Sequence, residues 1–130
     1  MKSMAKEKQH ILLVEDDPFL SDIYSTKLES AGFGLSVAYD GEEVFKKIEE
    51  KTPELILLDI VLPKMDGFEV LKKLKSDLRF NKIPVILLTN LGQKEDIDKG
   101  MSLGAQDYLI KANFIPSEIV EKIKCFLKSN

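Results

Sequence analysis

Leu55-Ile56-Leu57-Leu58-Asp59, continued by Ile60-Val61-Leu62-Pro63-Lys64-Met65-Asp66-Gly67, decides the fold of this chain. Four consecutive large aliphatics with no polar alternation read as a strand covered on both faces, as in a parallel sheet packed between helices. The run stops on a carboxylate, which is poorly solvated on the strand side and needs a partner or a cation. Pro63 and Gly67 then punctuate a loop before the next helical pattern. In an open α/β sheet ligands sit in the crevice beyond the carboxyl ends of the strands, so Asp59 is the first candidate functional residue. On this stretch alone, an acid that merely opens a turn is an equally good reading.

The same pattern repeats outward in both directions. Ile11 to Val14 is a short apolar run ending in Glu15-Asp16-Asp17-Pro18, where Asp17 before Pro18 suits a helix N-cap. Phe19, Leu20, Ile23, Tyr24, Leu28 and Ala31 then recur at helical spacing until Gly32. Phe33 to Tyr39 alternates as a second strand. A helix striped by Val44, Phe45 and Ile48 starts at Asp40-Gly41 and is broken by Pro53. Beyond the central loop, Phe68, Val70, Leu71, Leu74 and Leu78 mark a third helix, with Lys72, Lys73 and Lys75 on its solvated face. Ile83 to Leu88 is another apolar run, ending on Thr89-Asn90, and Glu95 to Leu103 is helical but only thinly apolar. Gln106 to Ile110 is a fifth strand ending on Lys111. A last helix from Pro116 to Lys128 turns Ile119, Val120, Ile123, Phe126 and Leu127 inward. Strands alternating with helices predict an α/β domain, a parallel sheet with helices on both faces. Right-handed crossovers favour the doubly wound order 2-1-3-4-5, with its switch point beside strands one and three.

At 130 residues the chain fits one domain with a single respectable core. Its net charge of -3 and its lone arginine, Arg79, give no electrostatic case for nucleic acid or an anionic membrane. No apolar stretch approaches a membrane span. Residues 1–9 are polar and Lys-rich, which predicts a flexible N-terminal arm rather than a secretory signal, and the expected compartment is the cytoplasm. Cys125 has no partner for an internal disulfide and reads as a small core or boundary residue. His10 stands just before the first strand without metal-ligand companions and reads as a surface residue.

The residues that close the buried runs form a set. Glu15 and Asp16 follow the first strand, Asp59 the third, Thr89 the fourth and Lys111 the fifth. Parallel strands end on one edge, so these side chains converge. Two like charges ~4 Å apart repel by about 4 kcal/mol at an effective dielectric of 20. Three gathered carboxylates must therefore protonate or bind a cation. Hard oxygen ligands suit Mg²⁺, which keeps several waters and binds one or two carboxylates together with phosphate oxygens. A carboxylate, a divalent ion, a lysine and a hydroxyl are the parts that stabilise a phosphoryl group passing in line to an oxygen nucleophile. The central strand makes Asp59 that nucleophile, and the product is an acyl phosphate.

As a spaced set, Val14-Glu15-Asp16, Asp59 with Pro63 and Met65-Asp66-Gly67, Thr89, and Tyr108 three residues before Lys111 resemble the receiver domains of two-component response regulators. The resemblance covers nearly the whole chain and implies a flavodoxin-like (βα)5 receiver domain over residues 10–128. It implies phosphorylation of Asp59 by a sensor histidine kinase or phosphotransfer protein, with Thr89 and Lys111 assisting. It implies Mg²⁺ held by Asp16 and Asp59, by Glu15 mostly through water, and by the backbone carbonyl of Val61. Thr89 and Tyr108 would be the switch residues, with the hydroxyl moving to the phosphoryl group and the aromatic rotating into the space it leaves. The face built from the fourth helix, fifth strand and fifth helix would then change shape for an unknown output protein. The molecule would be a monomer or a phosphorylation-dependent dimer, catalysing only its own phosphorylation and dephosphorylation. Asp17 lies one position beyond the usual acidic pair and keeps its reading as a helix cap.

Three departures from the family pattern bear on mechanism. Ala112 stands where receivers carry proline after a cis bond. A cis bond to a non-proline residue costs about 2.5–4 kcal/mol, so this bond is either trans or strained. Asn90 occupies a position where a small residue is common. Val61 and Leu91, which flank the phosphoryl site, are apolar, so slow loss of the phosphoryl group is expected. With the last helix closing the chain, no DNA-binding output domain is expected in it, which fits either a stand-alone regulator or a receiver cut from a longer protein. Other readings are a receiver-like interaction module that is not phosphorylated, an aspartyl phosphatase and a flavin carrier. The phosphatase lacks a second carboxylate two residues after Asp59, where Val61 stands. The flavin carrier lacks a phosphate-cradling loop after the first strand.

Overall fold

The computed structural model describes residues 8–129. Five strands alternate with five helices: β1 (His10–Val14), α1 (Pro18–Ser30), β2 (Gly34–Ala38), α2 (Gly41–Glu50), β3 (Leu55–Leu58), α3 (Gly67–Ser76), β4 (Val85–Thr89), α4 (Lys94–Ser102), β5 (Asp107–Ile110) and α5 (Pro116–Ser129). The strands form one parallel sheet in the order β2-β1-β3-β4-β5, the doubly wound flavodoxin-like arrangement predicted from the alternation.

The unbroken apolar runs follow from helices on both faces. Successive strand residues point to opposite sides, so each run supplies two cores. Leu12, Val14, Ile56, Leu58, Val85 and Leu87 face Val44 and Ile48 of α2 and Val70, Leu71 and Leu74 of α3. Ile11, Leu13, Leu55, Leu57, Ile86 and Leu88 face Tyr24 and Leu28 of α1 and Ile119, Val120 and Ile123 of α5. α4 contributes only Gly100 to the buried set, in keeping with its thin apolar stripe. That helix is held by little buried apolar area, a mark of elements that open or shift at low cost.

Helix starts are set by side chains. Asp17 accepts from the amides of Phe19 and Leu20 ahead of Pro18, as its position before a proline predicts. Asp40 accepts from Glu43 N at 2.8 Å, while Glu43 Oε1 accepts from Tyr39 N at 2.7 Å, a reciprocal cap on α2. Asp66 caps α3 through Glu69 N at 3.0 Å.

Several expectations are corrected. His10 is the first residue of β1 and is buried, not a surface residue. Its register opposite Gly34 shelters the ring, its Nε2 lies 2.6 Å from Ser36 Oγ, and its amide donates to Glu54 Oε1 at 2.6 Å. Cys125 is exposed, because Ile119 and Ile123 define the inward stripe of α5 and it lies off that stripe. Phe19, in the first turn of α1, is 71 % exposed. Leu78 is 90 % exposed because α3 stops at Ser76. Ile83 falls in the turn before β4, where its amide bonds to Phe80 O, and pairing begins only after Pro84. The Lys111–Ala112 bond is trans, since the described residues contain no cis peptide, and Lys111–Asn113 forms a short 3-10 turn. Most of the expected N-terminal arm, residues 1–7, lies outside the described residues, while Lys8 and Gln9 are exposed. Among the described residues no helix is long and apolar enough to cross a membrane.

Candidate functional site

The parallel ladder extends one residue past the ends of β1 and β3. Glu15 N donates to Ala38 O and Asp59 N to Val14 O, each at 3.1 Å, which sets both acids side by side at the carboxyl rim. Asp16 follows Glu15 and is exposed. One carboxylate oxygen from each of Glu15, Asp16 and Asp59 lies within 4.8 Å of the others. This is the switch point, where β1 and β3 are neighbours whose crossovers run to opposite sides.

Asp59 is held on both oxygens. Its Oδ1 accepts from the amides of Ile60 at 2.7 Å and Val61 at 3.3 Å, and its Oδ2 receives the Lys111 ammonium at 2.6 Å. The same ammonium stands 2.6 Å from Glu15 Oε1. That second contact is an ion pair without hydrogen-bond directionality, leaving Oε1 buried with no directed donor, whereas Glu15 Oε2 accepts from Asp17 N at 3.1 Å. Burial pushes the Glu15 carboxyl above its ordinary pKa, against the opposing pull of Lys111. Burial also works against the Lys111 ammonium, but its hydrogen bond to Asp59 and its close contact with Glu15, together with their charges, outweigh that and hold its pKa above the usual lysine value.

The three acids fit a divalent cation. They offer hard oxygen donors only, Asp16 opens to solvent, and buried Glu15 Oε1 receives no directed hydrogen bond beyond its ion pair with Lys111. One ammonium shared by two buried carboxylates leaves the cluster net negative when all three are ionised.

Thr89 ends β4 fully buried, and its Oγ1 accepts from Leu91 N at 3.3 Å. Tyr108, half-buried on β5, donates its hydroxyl to the carbonyl of the same Leu91 at 2.5 Å. Burial, and secondarily Asp96 and Asp59, push the Tyr108 phenol up to about 12, so it remains a donor at physiological pH. Both candidate switch residues therefore grip one residue of the β4–α4 loop. From the sequence Leu91 is only an apolar neighbour of the site; a backbone link of this kind leaves no side-chain signature. Val61, 60 % exposed, lies beside the acids, and Asn90 is exposed at the rim. The glycine of Met65-Asp66-Gly67 has a steric reason. Gly67 N donates to Ile60 O at 2.8 Å, and a Cβ there would come within 2.6 Å of Ile60 Cα.

Comparison with known proteins agrees with this geometry. The family model described as response regulator receiver domain matches residues 11–124. The chain is 42% identical over 118 residues to the DNA-binding dual master transcriptional regulator RpaA of Synechocystis, covering 91% of this chain and 48% of that protein. It spans about half the length of the curated relatives it matches. Among solved structures, a CheY-like response regulator receiver domain protein from Methanospirillum hungatei superposes with a TM-score of 0.86 at 31% identity, covering 95% of this chain and 96% of that one. The Mn²⁺-bound form of response regulator Rcp1 superposes with a TM-score of 0.82 at 30% identity, covering 92% and 94%.

Proposed function

We infer from one premise, that this chain belongs to the response regulator receiver domain family, that Asp59 accepts a phosphoryl group from a sensor histidine kinase or phosphotransfer protein. The observation that carries the reading is the contact set at the switch point: Asp59 and Glu15 share the Lys111 ammonium at 2.6 Å, with Asp16 alongside. Such a domain is a signalling module that catalyses only its own phosphorylation and dephosphorylation. The receiver unit is residues 10–128, and its compartment is the cytoplasm.

The roles follow from the contacts. Asp59 Oδ1 is committed to two backbone amides, so Oδ2 is the attacking oxygen. Lys111, already beside Oδ2, offers its charge to the phosphoryl oxygens as they approach. Glu15, Asp16, Asp59 and the Val61 carbonyl would hold Mg²⁺, which supplies charge neutralisation at the phosphoryl oxygens. The added phosphoryl brings roughly -1.5 to -2 charges and three acceptor oxygens. Thr89 turns its hydroxyl toward them, disturbing the Leu91 amide that it now accepts from, while Tyr108 holds the Leu91 carbonyl. The strain passes into the β4–α4 loop and thence into weakly anchored α4, changing the α4-β5-α5 face for an output protein. Mg²⁺-dependent incorporation of phosphate from a small-molecule acyl phosphate tests the reading.

Phosphodonor docking has its own support. Phe19, Tyr39, Val61 and Ile115 are large exposed apolar residues that all lie just after strands, around the rim that carries the acids. Exposed apolar residues grouped at this rim suit contact with an apolar patch on the donor protein. Phe19→Ala is expected to slow transfer from the donor protein roughly tenfold or more, by analogy with interface aromatics. Transfer from a small acyl phosphate should be unchanged; equal slowing of both would remove Phe19 from the docking surface.

Phosphoryl loss is slow on this reading. Val61 is apolar, and Leu91 is packed against the core, so neither orients an attacking water. A decay half-life of seconds for the isolated phosphorylated domain would contradict it. A second reading is a constitutive interaction module, in which the bond from the Tyr108 hydroxyl to the Leu91 carbonyl is permanent. Absence of phosphate incorporation from any donor would select that reading.

A further inference from the structure

The loop that follows Asp59 is braced from a neighbouring helix to which no role in the chemistry has been given. Between Asp59 and α3 the chain makes a tight turn in which Met65 N donates to Pro63 O at 2.8 Å and Lys64 takes a φ of 70°. An i-to-i+2 bond around a non-glycine residue with positive φ is a rare, strained turn, maintained only where its surroundings determine it. The surroundings here are the first residues of α2. Gly41 N donates to the same Pro63 carbonyl at 3.3 Å, and Lys64 Nζ lies 3.6 Å from Asp40 Oδ2. The Gly41 backbone is pressed against Met65. A Cβ at Gly41 would overlap the Met65 carbonyl oxygen and come within 2.7 Å of Met65 Cβ and 2.8 Å of Met65 C.

The loop is thus clamped at two glycines. At its far end Gly67 closes on the backbone of Asp59 and Ile60, and at its tip Gly41 closes on Pro63 and Met65. Val61, whose amide holds Asp59 Oδ1, lies between Asp59 and that tip. Displacing the tip must be absorbed by Val61, Leu62 and Pro63, because the Gly67 end is already in contact.

We propose that Gly41, in the first turn of α2, is a positioning residue for the reaction at Asp59: by admitting the Pro63–Met65 turn against its bare backbone it fixes the segment that carries the Val61 amide and carbonyl. This rests on the assignment of the Val61 carbonyl as a Mg²⁺ ligand. Gly41 touches neither the phosphoryl group nor the ion and acts through the loop.

The test is Gly41→Ala in the full chain, with Gly32→Ala as control. Gly32 has a φ of 97°, so alanine there is also strained, but it lies in the turn between α1 and β2, at the opposite edge from the acids. Mg²⁺ affinity is read by titration of backbone amide NMR shifts, and phosphorylation as initial rate against Mg²⁺ concentration. For Gly41→Ala the Mg²⁺ dissociation constant is expected to rise roughly ten- to a hundredfold, the range for residues that orient metal ligands. The limiting phosphorylation rate at saturating Mg²⁺ should fall much less, and metal-free amide shifts should move at Val61 to Met65. Gly32→Ala should lose stability without moving the Mg²⁺ constant. An unchanged Mg²⁺ constant in folded Gly41→Ala overturns the proposal, as does an equal shift in Gly32→Ala. Should Gly41→Ala not fold, Lys64→Val weakens the same turn without the clash at Gly41, because a β-branched residue disfavours the φ of 70° held there and the contact with Asp40 is lost. It is expected to raise the Mg²⁺ constant by a smaller factor, and no rise overturns the proposal. Failure of the underlying reading looks different, since the unsubstituted protein would then show no Mg²⁺-dependent phosphorylation.

Discussion

Asp59→Asn is expected to reduce phosphoryl incorporation from one group per chain to background, with the fold intact. The substitution keeps the shape of the side chain and leaves a carbonyl oxygen to accept from the Ile60 and Val61 amides at the positions Oδ1 now fills. It removes the nucleophile and the negative charge that faces Lys111 at 2.6 Å. An amide oxygen cannot form an acyl phosphate, so the loss is chemical and no excess of donor restores it. Mass spectrometry of the intact protein, after exposure to a small acyl phosphate with Mg²⁺, reads the result directly. Residual incorporation in the variant would mean that another side chain is the acceptor. Lys111 keeps Glu15 as a partner in the variant, so stability should change by no more than a few kcal/mol, and relief of one like-charge repulsion acts in the favourable direction.

The fold was legible because its central features are carried by residue type. Leu55 to Leu58 cannot alternate between core and solvent, so both faces of β3 had to be covered, and the strand order followed. The acids and Lys111 were legible for the same reason: charged groups directly after apolar runs land on one rim when the strands are parallel. Contacts that depend on backbone position left weaker traces. The grip of Thr89 and Tyr108 on Leu91 uses a main-chain amide and carbonyl, and any residue at that position would supply them. Gly41 read as a helix start, because nothing in the letters places Met65 against it. His10 was misread because its burial comes from register opposite Gly34, a property of two strands paired in space. Cys125 and Phe19 were misplaced for a related reason, since a helical stripe gives the spacing of apolar residues but not which marginal member faces out.

Lys111→Met is expected to cost the metal-free protein about 3–5 kcal/mol, the effect of removing one partner from a buried ion pair and leaving charge uncompensated. Two buried carboxylates, not one, lose their counter-ion, since Glu15 and Asp59 both meet the Lys111 ammonium at 2.6 Å. Against a typical domain stability of about 5–15 kcal/mol this is a large fraction, and urea unfolding at neutral pH should show it as a lower midpoint with an unchanged slope. The pH dependence has a definite sign. Lys111 has a raised pKa in the folded state, so its contribution is complete below the ordinary lysine pKa and lost as pH rises through the folded value. The gap between parent and variant should therefore close in strong alkali. Glu15 also has a raised folded-state pKa, chiefly through burial, so protonation favours the folded state as pH falls through that value. Without Lys111 that carboxyl has lost its main opposing pull, and the deficit should shrink on mild acidification as well. Mg²⁺ separates this account from a simple packing defect. On the proposed reading, an ion held by Glu15, Asp16 and Asp59 would supply the missing positive charge, and a ligand at a hundred times its dissociation constant stabilises by about 2.7 kcal/mol. Saturating Mg²⁺ should thus recover much of the lost stability in Lys111→Met. It should not restore the change at α4 proposed to follow phosphorylation, because no ammonium remains to meet the phosphoryl oxygens. A deficit that neither acid nor Mg²⁺ reduces would mean that Lys111 acts through its methylene packing, and the electrostatic account of the site would fail.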